Sequence, residues 1–209
     1  MGVLGRPWQR AKVGGGGDAV DALQPWVYLH PDDLPASTMS VGDEWPNRGS
    51  RDWPHTIRTG SGIITTLDGR PALQSSLFGY YDAAEPVVPN ATFAVVSDIL
   101  AGVNQYVYGP YTQTYALQVD ASGYWRMSST TLPDLASSGP TRTVAAFRTG
   151  ASASGLWVNG SRLLTANNMS LVGSQGWRRT NTRSVSSIMI FPPEVDPTEI
   201  AAAVDEVFA

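Results

Sequence analysis

The chain of 209 residues contains no cysteine, which excludes a disulfide scaffold and any thiolate metal site. Stability must then come from a packed core. Lysine occurs once, at Lys12, against thirteen arginines, a bias of the kind a GC-rich genome produces. Charge of one sign is also scarce. Fourteen basic and eighteen acidic residues leave a formal net charge of −4. No broad basic field exists to attract phosphates, so nucleic acid is not an expected partner. No apolar run approaches the roughly 20 residues needed to span a bilayer, so no membrane partner is expected. The opening Met1-Gly-Val-Leu-Gly5 is interrupted at once by Arg6, Pro7 and Arg10, so it does not read as a secretory signal. Nucleotide-binding glycine signatures are missing too: the run Gly14-Gly-Gly-Gly17 has no flanking strand to make it a phosphate cradle.

What is present describes a globular domain. An apolar fraction of 42% against 15% charged residues argues against disorder. The length suits one domain of sandwich size, and 21 Gly with 15 Pro favour turns over long helices. Patterning carries the architecture. Tyr115-Ala-Leu-Gln-Val119 alternates in period two, Asp120-Ala-Ser-Gly123 supplies a turn, and Tyr124-Trp-Arg-Met127 resumes the extended pattern. Thr143-Val-Ala-Ala-Phe-Arg148 follows, then a small-residue loop, Leu156-Trp-Val158, Asn159-Gly160 and Ser161-Arg-Leu-Leu164. Asn-Gly between two apolar runs predicts a two-residue hairpin, because both turn positions take positive φ. The span from Tyr115 to Leu164 is thus read as four or five strands of one antiparallel sheet, with the partner sheet drawn from elsewhere. Upstream, Pro25-Trp-Val-Tyr-Leu29 reads as a strand ended by Pro31-Asp-Asp33. Ile63-Ile-Thr-Thr-Leu67 leads into a second turn at Asp68-Gly69. Strands over 73–81, 91–99 and 105–108 complete the early set. Phe93-Ala-Val-Val96 is continuously apolar and is expected to be buried on both faces.

The order of these segments resembles the laminin-G-like, concanavalin-A-like jelly roll. An extended hairpin is followed by Val144-Ala-Ala-Phe-Arg148 and then by Gly155-Leu-Trp-Val-Asn-Gly160. Leu23-Gln-Pro-Trp-Val-Tyr-Leu-His30 resembles the opening strand of that family, and Asp43-Glu-Trp-Pro-Asn-Arg-Gly49 resembles its Trp-x-Asn-x-Gly loop. Ser186-Ser-Ile-Met-Ile-Phe-Pro192 and Asp196-Pro-Thr-Glu-Ile200 resemble its last strand and closing helix. A short, cysteine-free chain with an N-terminal arm is similar in style to virion proteins of tailed bacteriophages. That resemblance implies a place on a tail or capsid.

Residues 1–22 read as an arm, with Gly14–Gly17 as a flexible joint. Arg6, Arg10 and Lys12 surround Pro7-Trp8, and no acid precedes Asp18. Two readings stay open: a disordered tail, or an anchoring peptide in which Trp8 and the basic residues dock on a neighbouring subunit. Trp and Arg are the residues most enriched at interface anchors. At the other end Asp196 is a natural N-cap, Pro197 fits the first helical position, and Glu199 is placed to complete a capping box. Ile200, Val204, Val207 and Phe208 then recur at helical spacing.

A glycan hydrolase of concanavalin-like fold would carry paired carboxylates. Glycoside cleavage needs two carboxyls about 5–5.5 or 6.5–9.5 Å apart. No Glu-x-Asp-x-x-Glu pattern occurs, and Glu44, Glu85, Glu194, Glu199 and Glu206 lie in no alternating strand with another acid. His30 and His55 both adjoin a proline, fit no metal-ligand spacing and read as surface or turn residues; no Gly-x-Ser-x-Gly elbow accompanies them. Calcium is the one ion worth weighing. Asp32, Asp33, Asp43, Asp52, Asp68, Asp120 and Asp134 are read at loops, where aspartate is also a routine turn residue, so no metal ligand is assigned. Trp45, Trp53, Tyr106, Tyr108 and Tyr111 are read in or near loops, Trp45 and Trp53 as lids on the sandwich edge. They stand as candidates for glycan or protein contact, against ordinary packing.

The expectation is an all-β, concanavalin-like jelly-roll sandwich of two antiparallel sheets: an anchoring arm (1–22), a jelly-roll domain (23–209) and one short closing helix (196–208). The expected role is non-enzymatic, without a cofactor. It is that of a minor tail or capsid decoration protein of a tailed phage virion, contacting tail or capsid subunits, host-surface glycan or further copies of itself. The alternatives are a carbohydrate-binding module for envelope glycans and a glycan hydrolase of concanavalin-like fold.

Overall fold

The computed structural model describes residues 17–51, 55–57, 60–79, 90–99, 105–108, 117–127, 130–135, 139–148, 155–165 and 178–209. These residues form thirteen strands, two α-helices and one 3-10 turn. The first helix, α1, is Ala19–Ala22, followed by β1 (Val27–Leu29), the 3-10 turn Pro31–Asp33 and β2 (Thr38–Met39). Then come β3 (Gly62–Leu67), β4 (Arg70–Gly79), β5 (Thr92–Ile99), β6 (Gln105–Tyr108) and β7 (Leu117–Val119). The chain continues through β8 (Tyr124–Met127), β9 (Thr130–Leu135), β10 (Gly139–Arg148), β11 (Gly155–Val158), β12 (Ser161–Thr165) and β13 (Arg178–Phe191). It closes with α2, Pro197–Phe208. One antiparallel sheet runs β12-β11-β10-β5-β13-β4-β3-β2, with β1 paired to β13 as well. A second, smaller sheet runs β6-β7-β8-β9. The protein is a β-sandwich.

Local turn chemistry sets the hairpins. Asn159 and Gly160 have φ of 47° and 76°, and Val158 pairs with Ser161 across them. Asp68 and Gly69 have φ of 48° and 77° and join Leu67 to Arg70. In both, two positive φ values give the turn the right-handed twist of its strands.

Period-two alternation sorts the apolar residues onto two faces of the large sheet. Phe93 and Val95 of β5, Ala145 and Phe147 of β10, and Ile188 and Ile190 of β13 face a core shared with Leu117, Val119 and Trp125 of the small sheet. Phe93 and Phe147 stack there with ring centroids 5.0 Å apart. The intervening Ala94, Val96, Val144, Ala146, Met189 and Phe191 form a second core under Val20 of α1 and Ile200, Val204 and Val207 of α2. Every residue of β5 is buried, as expected of a strand apolar on both faces.

The sequence reading of one sheet over Tyr115 to Leu164 needs correction: β7 and β8 belong to the small sheet, β10, β11 and β12 to the large one. The burial pattern supplies the reason. Strand β7 buries Leu117 and Val119 while Gln118 is half-buried, which suits a one-faced outer sheet. Strand β10 buries five consecutive residues, Thr143 to Phe147, and that requires a central place beside β5. A second difference lies at the N-terminus. Residues 19–22, read as the end of the arm, form a helical turn whose Val20 is fully buried, so this turn is part of the folded body. At α2, the Asp196 carboxylate accepts from the Thr198 N–H at 2.8 Å and the Thr198 hydroxyl at 2.6 Å, while the Glu199 N–H bonds the Asp196 carbonyl. The capping box with reciprocal side chains occurs instead at Asp18 and Asp21 of α1.

Candidate binding surface

Three groupings of polar or exposed residues define what the described surface can do. The first ties α1 to β1. Asp18 Oδ1 accepts the Val20 and Asp21 N–H groups, each at 2.9 Å. Its Oδ2 accepts the Tyr28 hydroxyl at 2.9 Å and lies 3.2 Å from His30 Nε2. His30 Nδ1 accepts the Asp32 N–H at 3.1 Å, so the ring proton belongs on Nε2, facing Asp18. Burial by itself would raise the Asp18 pKa. The hydrogen bonds from His30, the Asp21 backbone and Tyr28 outweigh it and hold the carboxyl at about 2. Burial and then the Asp18 charge push Tyr28 far above the phenol range, and the same two causes raise Asp21. A phenol held neutral and a carboxylate held ionised make a fastening. Arg70 extends it, bonding Asp32 at 3.2 Å and donating to the Val207 carbonyl at 2.5 Å. The ends of α1, β4 and α2 are thereby joined. Both histidines, expected at the surface, are buried.

The second grouping is the loop over 43–51, where the Trp-x-Asn-x-Gly residues do structural work. Asn47 Oδ1 accepts the Tyr28 and Gly49 N–H groups at 2.8 Å, and Nδ2 donates to the Arg51 carbonyl at 2.8 Å. A Cβ on Gly49 would lie 2.4 Å from the Trp26 carbonyl oxygen, so only glycine lets the loop approach β1 this closely. Trp45 is fully buried, and its indole N–H donates to the His30 carbonyl at 2.9 Å. The reading of Trp45 as an edge lid available for stacking is therefore corrected. An indole is large enough to complete the core at this edge, and its one polar atom is satisfied inside.

The third lies at the outer edge of the large sheet. Val41 and Ile63, at 61% and 55% exposure, are the exposed large apolar side chains among the described residues, and both adjoin β2. The same edge holds an open groove of about 360 Å³ between 34–36 and β3.

The remaining candidates fall as follows. Tyr106 and Tyr108 lie on β6, an edge strand of the small sheet, opposite Gln118 and Leu117. Arg6, Trp8, Arg10, Lys12, Trp53 and Tyr111 lie outside the described residues. Among the described residues no three His, Asp or Glu side chains converge as a metal site would require. Asp43 accepts the Ser40 N–H, and Asp120 accepts the Ser122 and Tyr124 N–H groups, which is turn chemistry. Asp32, Asp33 and Asp68 face Arg70, Arg48 and Arg142. Asp134 lies within β9, not in a loop, and Asp52 is outside the described residues. The signal that Asp18, Tyr28 and His30 belong together was missing from the sequence, because an Asp ten residues before a Tyr has no local periodicity.

No protein-family model matches the sequence, and no curated protein matches it. Solved structures do match. A Trypanosoma rangeli sialidase complexed with 2,3-difluoro-KDN superposes with a TM-score of 0.56 at 14% identity, over 98% of this chain and 35% of the sialidase. A mutant of the same sialidase displaying trans-sialidase activity gives 0.58 at 11% identity, over 90% and 34%. The binding domain of botulinum neurotoxin serotype D/C gives 0.55 at 9% identity, over 92% and 53%. The chain spans about a third of the sialidase chains and about half of the neurotoxin chain. At these identities the likeness is one of fold, a β-sandwich of the kind those proteins contain.

Proposed function

We propose that this chain is a non-enzymatic adhesion module: a jelly roll displayed on a tailed-phage virion, as a minor tail or capsid decoration protein, that contacts glycan on the host surface. The observation that carries the adhesive part is the sandwich fold itself, shared with botulinum neurotoxin type C, whose cell entry is dependent upon interaction with two ganglioside molecules; that chain superposes with a TM-score of 0.51 at 6% identity, over 86% of this chain and 52% of its own. The non-enzymatic part is supported by what the described acids do. Asp18, Asp98, Asp120 and Asp196 accept backbone N–H groups, while Asp32, Asp33, Asp68 and Asp205 face arginines. Placement on a virion rests on the resemblance of a short, cysteine-free chain with an N-terminal arm to virion proteins of tailed bacteriophages, and docking on a neighbouring subunit on the Trp8, Arg6, Arg10 and Lys12 of that arm.

The test has two arms. Purified protein is applied to host cells and to an array of envelope glycans, and purified virions are analysed by mass spectrometry. Saturable binding that weakens with Tyr106→Ala or Tyr108→Ala, together with the chain in virions, is the expected result. Binding to no glycan would sink the adhesive reading, and absence from virions would sink the placement. Reducing-sugar release abolished by changing one acid would replace the module with a hydrolase.

A further inference from the structure

His30 follows β1 with both ring nitrogens engaged, and the two engagements together fix its protonation state. Nε2 lies 3.2 Å from the Asp18 carboxylate and donates to it. Nδ1 accepts the Asp32 N–H at 3.1 Å, and that bond caps the 3-10 turn Pro31–Asp33. An imidazole accepts at a nitrogen only while it is neutral, because the cation carries N–H donors at both. The capped turn is therefore tied to the neutral ring.

The surroundings supply a second arrangement for the charged ring. Asp32 Oδ2 stands 3.8 Å from Nδ1, just beyond hydrogen-bond length, and belongs to the same residue as the N–H that Nδ1 accepts. With the ring neutral, this carboxylate takes Arg70 instead, whose Nη1 lies 3.2 Å from Oδ2 while Nη2 donates to the Val207 carbonyl. Four elements bring charged or titratable groups to the ring. Asp18 and Asp21 come with α1, Asp32 and Asp33 with the 3-10 turn, Arg70 with β4, and Tyr28 with β1, its ring edge-on to His30 at 5.2 Å between centroids. Arg48 of the loop over 43–51 stands behind them, held on Asp33. The imidazole is buried, but the Asp32 side chain is 47% exposed and gives a proton a path to Nδ1. Imidazole is the side chain that ordinarily changes charge between about pH 5 and 8.

We propose that His30 is a proton-operated switch for the 3-10 turn. When the ring takes a proton on Nδ1, two N–H donors face each other and the cap is lost. The Asp32 carboxylate then swings from Arg70 to Nδ1, leaving His30 as a cation between Asp18 and Asp32. Closing the 3.8 Å gap turns the segment whose next residue, Leu34, lines the groove beside β3. Arg70 keeps the Val207 carbonyl and loses its tie to the turn. Acid thus strengthens the hold on α1, since a charged donor bonds a carboxylate more tightly than a neutral one, and frees the turn from β4. The device belongs to the fold and holds whether or not the chain is an adhesion module.

His30 and His55 are the two histidines of the chain, so nitrogen NMR of the full-length protein resolves the ring directly. At about pH 8 a coupling across the hydrogen bond should link His30 Nδ1 to the Asp32 amide nitrogen. On acidification to about pH 4.5 that coupling should vanish, and the His30 ring and the Asp32 amide should shift with one common midpoint. The Asp18 carboxyl, held at about 2, stays ionised over this range and adds no transition. Asp32→Asn keeps the backbone N–H but removes the anion that receives the new proton, and should weaken proton uptake by His30 about tenfold. His30→Gln should abolish the transition at the Asp32 amide; if that variant does not fold, Asp32→Asn carries the test. A His30 ring that takes no proton before the protein unfolds overturns the proposal. So does a ring that titrates while the Asp32 amide stays unchanged, or one whose midpoint is the same in Asp32→Asn.

Discussion

Replacing Asp18 by alanine removes a helix cap and the acceptor for two buried side chains at once. The cap is worth about 1 kcal/mol. Tyr28, 1% exposed, and His30, 4% exposed, then lose the acceptor at 2.9 and 3.2 Å. Leaving a buried donor unsatisfied costs about 1–3 kcal/mol. The two losses share one carboxylate and do not add fully, so the expected destabilisation is about 2 kcal/mol. The pH dependence gives an independent reading. The folded pKa of Asp18, about 2, lies below its ordinary 3.8. A depressed carboxyl contributes stability that is fully present above the unfolded value and is lost as pH falls through the folded one. Converted directly, that depression sets a ceiling of about 2.5 kcal/mol. Solvent screening at this partly exposed group brings it to about 1 kcal/mol. Urea unfolding of wild type and Asp18→Ala at a series of pH values checks both statements. The gap should be about 2 kcal/mol at pH 7 and narrow by about half between pH 4 and pH 2. A gap below about 0.5 kcal/mol at pH 7 would show that α1 is not part of the cooperative unit, and the fastening would be without consequence.

Three further outcomes follow from the same geometry. Trp45→Phe keeps an aromatic ring but removes the indole donor from the His30 carbonyl, which retains the Asp33 N–H, and should cost about 1 kcal/mol in denaturant unfolding, while Trp45→Ala should cost about 3–5 kcal/mol; glycan binding lost without loss of stability would contradict the burial of Trp45. Gly49→Ala should lower stability by about 3 kcal/mol or more, because its Cβ would fall 2.4 Å from the Trp26 carbonyl oxygen; a neutral result by thermal melting would refute the close approach. Asn159→Gly keeps the positive φ and loses the bond from the Val144 N–H to Oδ1, for about 1 kcal/mol. Asn159→Val adds strain at φ 47°, for about 2–3 kcal/mol in total, and equal melting of the two variants would argue against the turn geometry.

Much of the local structure was legible in the sequence, because it depends on residues close together in the chain. Asn159-Gly160 and Asp68-Gly69 specify hairpins through their tolerance of positive φ. The continuous apolar stretch of Phe93 to Val96 specifies a strand covered on both faces. Asp196-Pro197 specifies the start of α2. Period-two alternation identifies a strand but carries no information on which sheet it joins, so the division of the 115–164 span was decided by tertiary packing. Within that span β10 and β11 offer apolar side chains to both cores, whereas the described core residues of β7 and β8, Leu117, Val119 and Trp125, serve one. The same limit applied to single residues. An isolated Trp, His or Asp looks alike whether it lies on a rim or inside. Trp45, His30 and Asp18 came inside because the loop over 43–51, the 3-10 turn and α1 converge on β1, contacts that span up to nineteen residues and leave no periodic trace. Sequence alone determined where this chain turns and which strands must be covered. The tertiary structure decided which polar side chains were enclosed, since burial is a property of the neighbours a residue meets rather than of the residue itself.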